Sequence, residues 1–281
     1  MSNVSIATER MTLQTGLTIA YYDSDVHPET HAGKSGEKPA VVMLHGFCGS
    51  SAYWEQVVPL LQPHLRVIAP DLRGHGRSGI AGTEAPSIDR YADDVALMLE
   101  QLQPGPVFLL GHSLGGYITL AFADKYASKL AGFGLIHSTP LPDSPEAKAG
   151  RDKAVETVRT LGVAAFVEGL VPKLFAPGSK ERLPFAVEQA LAIGRETSAA
   201  GVEQAALAMK ERPDRTGTLQ NSPLPILLAA GKHDGVIPPE RTFMKEGNNV
   251  QQVLLEQAGH MGMYEQPGKL AEAIRQFAGR E

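Results

Sequence analysis

A single cysteine, Cys48, stands among 281 residues. No intrachain disulfide can form, so the chain needs no oxidising compartment. Long apolar runs are absent too. The longest are strand-sized and stop at Gly, Pro, Asp or His, well short of the ~20 residues a membrane helix requires. The opening residues, Met-Ser-Asn-Val-Ser-Ile-Ala-Thr-Glu-Arg, lack a basic segment followed by an apolar stretch, the mark of a signal peptide. The expectation is a cytoplasmic chain without membrane insertion. Excess positive charge is also missing: the formal net charge is −5, which leaves no electrostatic footprint for nucleic acid. Neither a His-Glu-x-x-His nor a Cys-x-x-Cys pair occurs, and no P-loop or dinucleotide fingerprint does, so no metal and no cofactor are expected.

What remains is a composition 43% apolar and 20% charged, suited to a globular fold. Strand-like and helix-like segments alternate. Residues 11–14 and 17–22 flank Thr15-Gly16 as a hairpin, and residues 24–38 read as a loop. Ala40–Leu44, Arg66–Ala69, Pro106–Leu110 and Leu130–Ile136 read as buried strands, with helices over 52–61, 88–102 and 114–127 between them. Such alternation predicts an α/β fold with a parallel sheet and right-handed crossovers. It stops near Pro140. Helical stripes follow: Val155, Val158 and Leu161, then Phe166, Leu170 and Leu174, then Val187, Leu191, Ala205 and Met209. Strands over 225–230 and 250–255 then resume the pattern, with a short helix from Pro238 and a last one over 266–278. A helical insertion at 139–222 therefore interrupts a core built from 1–138 and 223–281.

Gly111-His112-Ser113-Leu114-Gly115 fits G-x-S-x-G and lies between a strand and a helix, the context that gives the motif meaning. A serine hydroxyl needs exposure, orientation and a base to act as a nucleophile. A sharp strand-to-helix turn supplies the exposure, and the helix N-terminus adds a positive dipole end. The alternative is a serine that merely caps the helix.

Five motifs occur in order: His45-Gly46-Phe47, Asp71-Leu-Arg-Gly-His-Gly-Arg-Ser78, Gly-His-Ser113-Leu-Gly-Gly, Gly231-Lys-His-Asp234 and Gly259-His260. With them the chain, from about Pro39 to its C-terminus, resembles the α/β-hydrolase superfamily, in its serine esterase-like group with a helical cap. The resemblance implies a mostly parallel eight-stranded sheet flanked by helices, with the cap inserted after strand 6. It also implies a triad in the order Ser, acid, His.

Of nine histidines, His260 lies between the last strand and the last helix, at the sheet edge where α/β sites form. The resembling family places its general base there. Asp234 follows the strand 225–230 and is the candidate acid, with Asp71 and Asp143 as competitors; for Asp71 the plain reading is an ion pair with Arg73 or Arg77. Oxyanion donors are expected from the N–H of Leu114 and of Phe47. The loop reads His-Gly-Phe-Cys here, where some lipases have His-Gly-Gly-Gly, so the Phe47 ring can also wall the pocket or simply pack in the core. Cys48 reads as a packed residue. Candidate substrate contacts are Phe47, Phe166, Leu170, Met209 and Met261.

The reading is a carboxylic ester hydrolase acting on a small-molecule ester, as a monomer or homodimer. Lactones, C–C bonds and peracids suit the same triad, and a ligand-binding regulator that retains the triad is a reading of another class. The serine argues against dehalogenase and epoxide hydrolase relatives, which carry Asp at that position.

Overall fold

A computed structural model describes residues 4–26 and 38–279. Most of the loop expected over 24–38 lies outside the described residues. Eight strands form one sheet: β1 (Glu9–Thr12), β2 (Thr18–Asp23), β3 (Ala40–Leu44), β4 (Arg66–Pro70), β5 (Val107–His112), β6 (Leu130–Ile136), β7 (Ile226–Gly231) and β8 (Val250–Leu255). Their order is β1-β2-β4-β3-β5-β6-β7-β8. β1 pairs antiparallel with β2, and β2 with β4; every other pairing is parallel. Thr12 faces Thr18 across the Gly16 turn, as the hairpin reading expects.

The unbroken apolar run of β3 has a direct cause. Val42 and Leu44 enter the hydrophobic cluster on one face of the sheet, Val41 and Met43 the cluster on the other, and all four are fully buried. At about 1.5–3 kcal/mol for each such side chain, no polar residue is tolerated in the run.

Eleven α-helices occur among the described residues. The core carries α1 (Val58–Leu61), α2 (Ile88–Leu102) and α3 (Leu114–Lys125). α2 occupies the expected span: Ser87 caps it by accepting the Arg90 N–H at 3.2 Å, and Ile88, Tyr91, Val95, Met98 and Leu99 form its buried stripe. The helix expected over 52–61 is instead a 3₁₀ turn, Ser51–Trp54, followed by α1. Pro59 explains the break. Its ring would meet the carbonyl of residue 55 inside a continuous helix, whereas it is harmless in the first turn of α1.

Between β6 and β7 lies the cap: α4 (Pro145–Leu170), α5 (Ser179–Arg182), α6 (Pro184–Arg195), α7 (Ala199–Lys210) and α8 (Thr216–Asn221). The expected stripes are mostly turned inward, with one correction. Leu161 is 70% exposed. Gly162 has φ 84° and breaks the helical rotation of α4, so the stripe does not continue through residue 161. After β7 come α9 (Pro239–Thr242), α10 (Gly262–Glu265) and α11 (Pro267–Ala278).

Strand order reverses at the centre of the sheet: β4 lies on one side of β3 and β5 on the other. Crevices at the carboxyl ends of strands form at such a point. The loops after β3, β5, β6, β7 and β8 carry Phe47, Ser113, His137, Asp234 and His260 respectively.

Candidate active site

Ser113 sits between β5 and α3 with φ 51° and ψ −112°. This backbone is costly for a residue with a Cβ, about 1–3 kcal/mol, and persists only where neighbours over-determine it. Here the Ser113 N–H donates to the Ile136 carbonyl at 3.0 Å, and the Ser113 carbonyl accepts from Ser138 Oγ at 2.8 Å and from the Gly116 N–H at 2.9 Å. The flanking glycines are a packing requirement: a Cβ on Gly111 would overlap the Gly115 carbonyl, one on Gly115 the Leu44 carbonyl, and one on Gly116 the Ser138 side chain.

His260 is brought to the same place by the loop after β8. Its N–H donates to the Leu174 carbonyl at 2.7 Å, and its carbonyl accepts from His112 Nε2 at 2.8 Å. Its ring Nδ1 lies 2.8 Å from Asp234 Oδ2. The other oxygen, Oδ1, accepts from the Val236 and Ile237 N–H groups, each at 2.8 Å. Burial by itself would raise the Asp234 carboxyl, but His260 and His137 outweigh it and hold the group far below the usual carboxylate range. An ionised carboxylate only accepts, so the Nδ1–H of His260 is the donor in this bond.

His137 was not among the candidates. Its Nδ1 lies 3.2 Å from the same Asp234 Oδ2, and burial pushes its pKa down, so the ring is a neutral donor. A Cβ on Gly262 would strike this ring, which accounts for a glycine after Met261. His137, Asp234 and His260 are also the one group of potential ligand atoms close enough for a metal ion among the described residues, within 4.8 Å of one another. The hydrogen bonds to Asp234 account for that clustering without one.

The competing acids lie elsewhere. Asp71 is fully buried and accepts from Ser5 Oγ at 2.7 Å, the Ser51 N–H at 2.7 Å and the Arg77 N–H at 2.8 Å. The ion pair expected with Arg73 is instead formed by Asp94, at 2.6 Å. The Arg77 guanidinium donates to the Ala7 carbonyl. Asp143 pairs with Arg151 and Arg212.

Ser113 and His260 line one cavity of about 60 Å³, together with Phe47, Leu170 and Met209 among the expected contacts. Phe166 stands behind Phe47, ring centroids 5.8 Å apart. Met261 is fully buried in the core and does not line the cavity. The expected wall at Met261 is thus displaced inward, because α10 begins at the next residue and turns it into the packing under the sheet. Leu114 is fully buried at the start of α3. The Phe47 loop is braced by His45: its Nε2 accepts from the Leu72 N–H at 2.9 Å, so its Nδ1–H donates to the Gly46 carbonyl at 2.8 Å. Burial pushes the Cys48 thiol up, which keeps it protonated and packed. Tyr53, Tyr117 and Arg151 line the cavity as well, and no local motif marks them.

The alpha/beta hydrolase family model matches residues 41–273. An esterase from Thermogutta terrifontis, solved with malate bound, is 33% identical with a TM-score of 0.85, covering 95% of this chain and 96% of that one. The provisionally named carbamate hydrolase RutD of Agrobacterium fabrum is 29% identical over 260 residues, 90% of this chain and 97% of its own. An enol-lactonase from Burkholderia xenovorans shares the fold at 21% identity, with a TM-score of 0.85 over 97% of this chain and all of that one. The chain belongs to the alpha/beta hydrolase family and is a serine hydrolase.

Proposed function

We propose that the chain is a carboxylic ester hydrolase with Ser113 as nucleophile, His260 as general base and then acid, and Asp234 as the group that orients His260. The observation that carries this reading is the meeting of Ser113 and the Asp234-held ring of His260 on one cavity. Ser113 Oγ attacks the ester carbonyl while His260 Nε2 takes its proton. The Leu114 and Phe47 N–H groups receive the oxyanion. His260 returns the proton to the departing alcohol, leaving an acyl-enzyme. Water, activated by the same ring, then releases the acid.

In this reading residues 139–222 form a lid domain over a core of 1–138 and 223–281. Phe47, Leu170 and Met209 wall the acyl site, with Phe166 supporting Phe47. No cofactor takes part. A single buried cysteine suits a cytoplasmic enzyme, acting as a monomer or homodimer. The cavity, about 60 Å³, favours short acyl groups. An acyl-chain series of p-nitrophenyl esters, run beside simple lactones, tests the reading. Acetate and propionate esters should be cleaved faster than octanoate and decanoate. Turnover confined to the lactones contradicts the ester assignment.

A further inference from the structure

Among the residues that line the cavity, Arg151 is the one with a fixed charge; the others are aromatic, aliphatic, imidazole or hydroxyl side chains. It lies in the second turn of α4, and its side chain is 23% exposed. Its only ionic partner among the described residues is Asp143, which accepts from Arg151 Nε at 3.0 Å.

That partner is shared. Arg212 Nη1 reaches Asp143 Oδ1 at 2.5 Å and also donates to the Met209 carbonyl at 3.0 Å, while Arg212 Nε donates to the Leu141 carbonyl at 3.1 Å. The Arg212 guanidinium is buried and stacks over Tyr117 at 3.9 Å from the ring centre. One carboxylate thus faces two guanidiniums, and Arg212 makes three hydrogen bonds where Arg151 makes one. Burial favours the neutral form of Asp143, yet the two arginines hold its carboxyl below its ordinary range. Arg151 is left with surplus charge. Its two terminal nitrogens have no hydrogen-bond partner among the described residues, and they form the fork that matches a carboxylate in two parallel bonds.

We infer that Arg151 is a specificity-determining residue that receives a carboxylate on the substrate, so that the preferred ester is a half-ester of a short dicarboxylic acid. Asp143 holds the guanidinium by Nε, and the side chain so held lines the cavity. Hydrolysis of such a half-ester consumes water and yields the alcohol and the dicarboxylate. The inference rests on the esterase reading of the same cavity. A neutral ester offers the two terminal nitrogens of Arg151 no charged acceptor, which weakens its binding relative to a half-ester.

The test compares methyl hydrogen succinate with methyl levulinate, in which a methyl ketone replaces the carboxylate, for the wild type and for Arg151→Gln and Arg151→Lys. The wild type should favour the succinate half-ester at least tenfold in kcat/KM. Arg151→Gln should erase that ratio mainly through KM, and Arg151→Lys should restore part of it. Equal loss on both substrates in Arg151→Gln, or a wild-type ratio near one, overturns the carboxylate site and leaves the esterase reading standing. Calorimetric titration of methyl hydrogen succinate into Ser113→Ala, with and without Arg151→Gln, separates the two claims. Binding that depends on Arg151, with no turnover of either ester by the wild type, overturns the esterase reading and supports the carboxylate site.

Discussion

Asp234 is the most heavily engaged side chain of the site, with one oxygen on two backbone N–H groups and the other between two imidazoles. An amide at this position keeps the size and loses the charge. Asp234→Asn should therefore lower kcat by roughly 10⁴, since His260 then settles in the wrong tautomer. Asp71→Asn should leave kcat within a few fold of wild type in whatever fraction folds, because its hydrogen bonds tie residues 5, 51 and 77 together and none reaches His260. Steady-state kinetics of the two purified variants check both. His137→Ala removes one donor from Asp234, where both side chains are fully buried. It should destabilise the protein by about 1–3 kcal/mol, read from denaturant midpoints. His137 and Arg151 are the residues least legible in the sequence. Their partners lie 97 and 8 positions away, and what makes them notable is a shared carboxylate that no spacing reveals.

At the scale of elements, the cap and the His260 loop are joined through Glu265 in α10. Its Oε1 accepts from the Ala176 N–H and from Ser179 Oγ, each at 2.7 Å, and its Oε2 accepts from the Gly259 N–H at 2.7 Å. The residue before the proposed base and the segment entering α5 thus hang on one carboxylate. Glu265→Ala should cost about 2–3 kcal/mol of stability and lower kcat/KM at the same time, by loosening the loop that holds His260. A loss of stability with unchanged kcat/KM would show that the loop keeps its place without this anchor. The elements themselves are readable where cause is local. The Ser113 elbow needs only a strand, three close-approach glycines and a helix. The span of α2 follows from Ser87 and one apolar stripe. Reading fails where a neighbour decides. α10 is four residues long with no periodic stripe to announce it, and it turns Met261 away from the cavity.

Across the whole molecule, four histidines, His45, His75, His112 and His137, are buried with pKa values pushed down, in each case chiefly by burial. The sign follows from linkage. Unfolded, each binds a proton below about pH 6.5, while the folded chain keeps it neutral. Their contribution to stability is complete above about pH 6.5 and is lost as the pH falls from there toward the folded values, by at most about 1.4 kcal/mol per histidine per pH unit. The urea midpoint should therefore drop markedly between pH 7.5 and pH 5.5. An unchanged or higher midpoint at pH 5.5 would contradict the buried neutral state of these rings. The overall α/β plan and the insertion after β6 are legible because they rest on alternation of strand and helix. The cavity is not, since its walls come from the loops after β3 and β5, from α3, α4 and α7, and from the loops after β7 and β8, which only the folded chain assembles.

The central claim is that Ser113 carries the chemistry. Treating the protein with a fluorophosphonate, which phosphonylates activated serines with loss of fluoride, and mapping the adduct by peptide mass spectrometry measures this directly. One adduct is expected, on the peptide containing Gly111–Gly115, with esterase activity lost in proportion to labelling and no adduct in Ser113→Ala. Activity lost with the label on another peptide, or ester hydrolysis retained by Ser113→Ala, would contradict it.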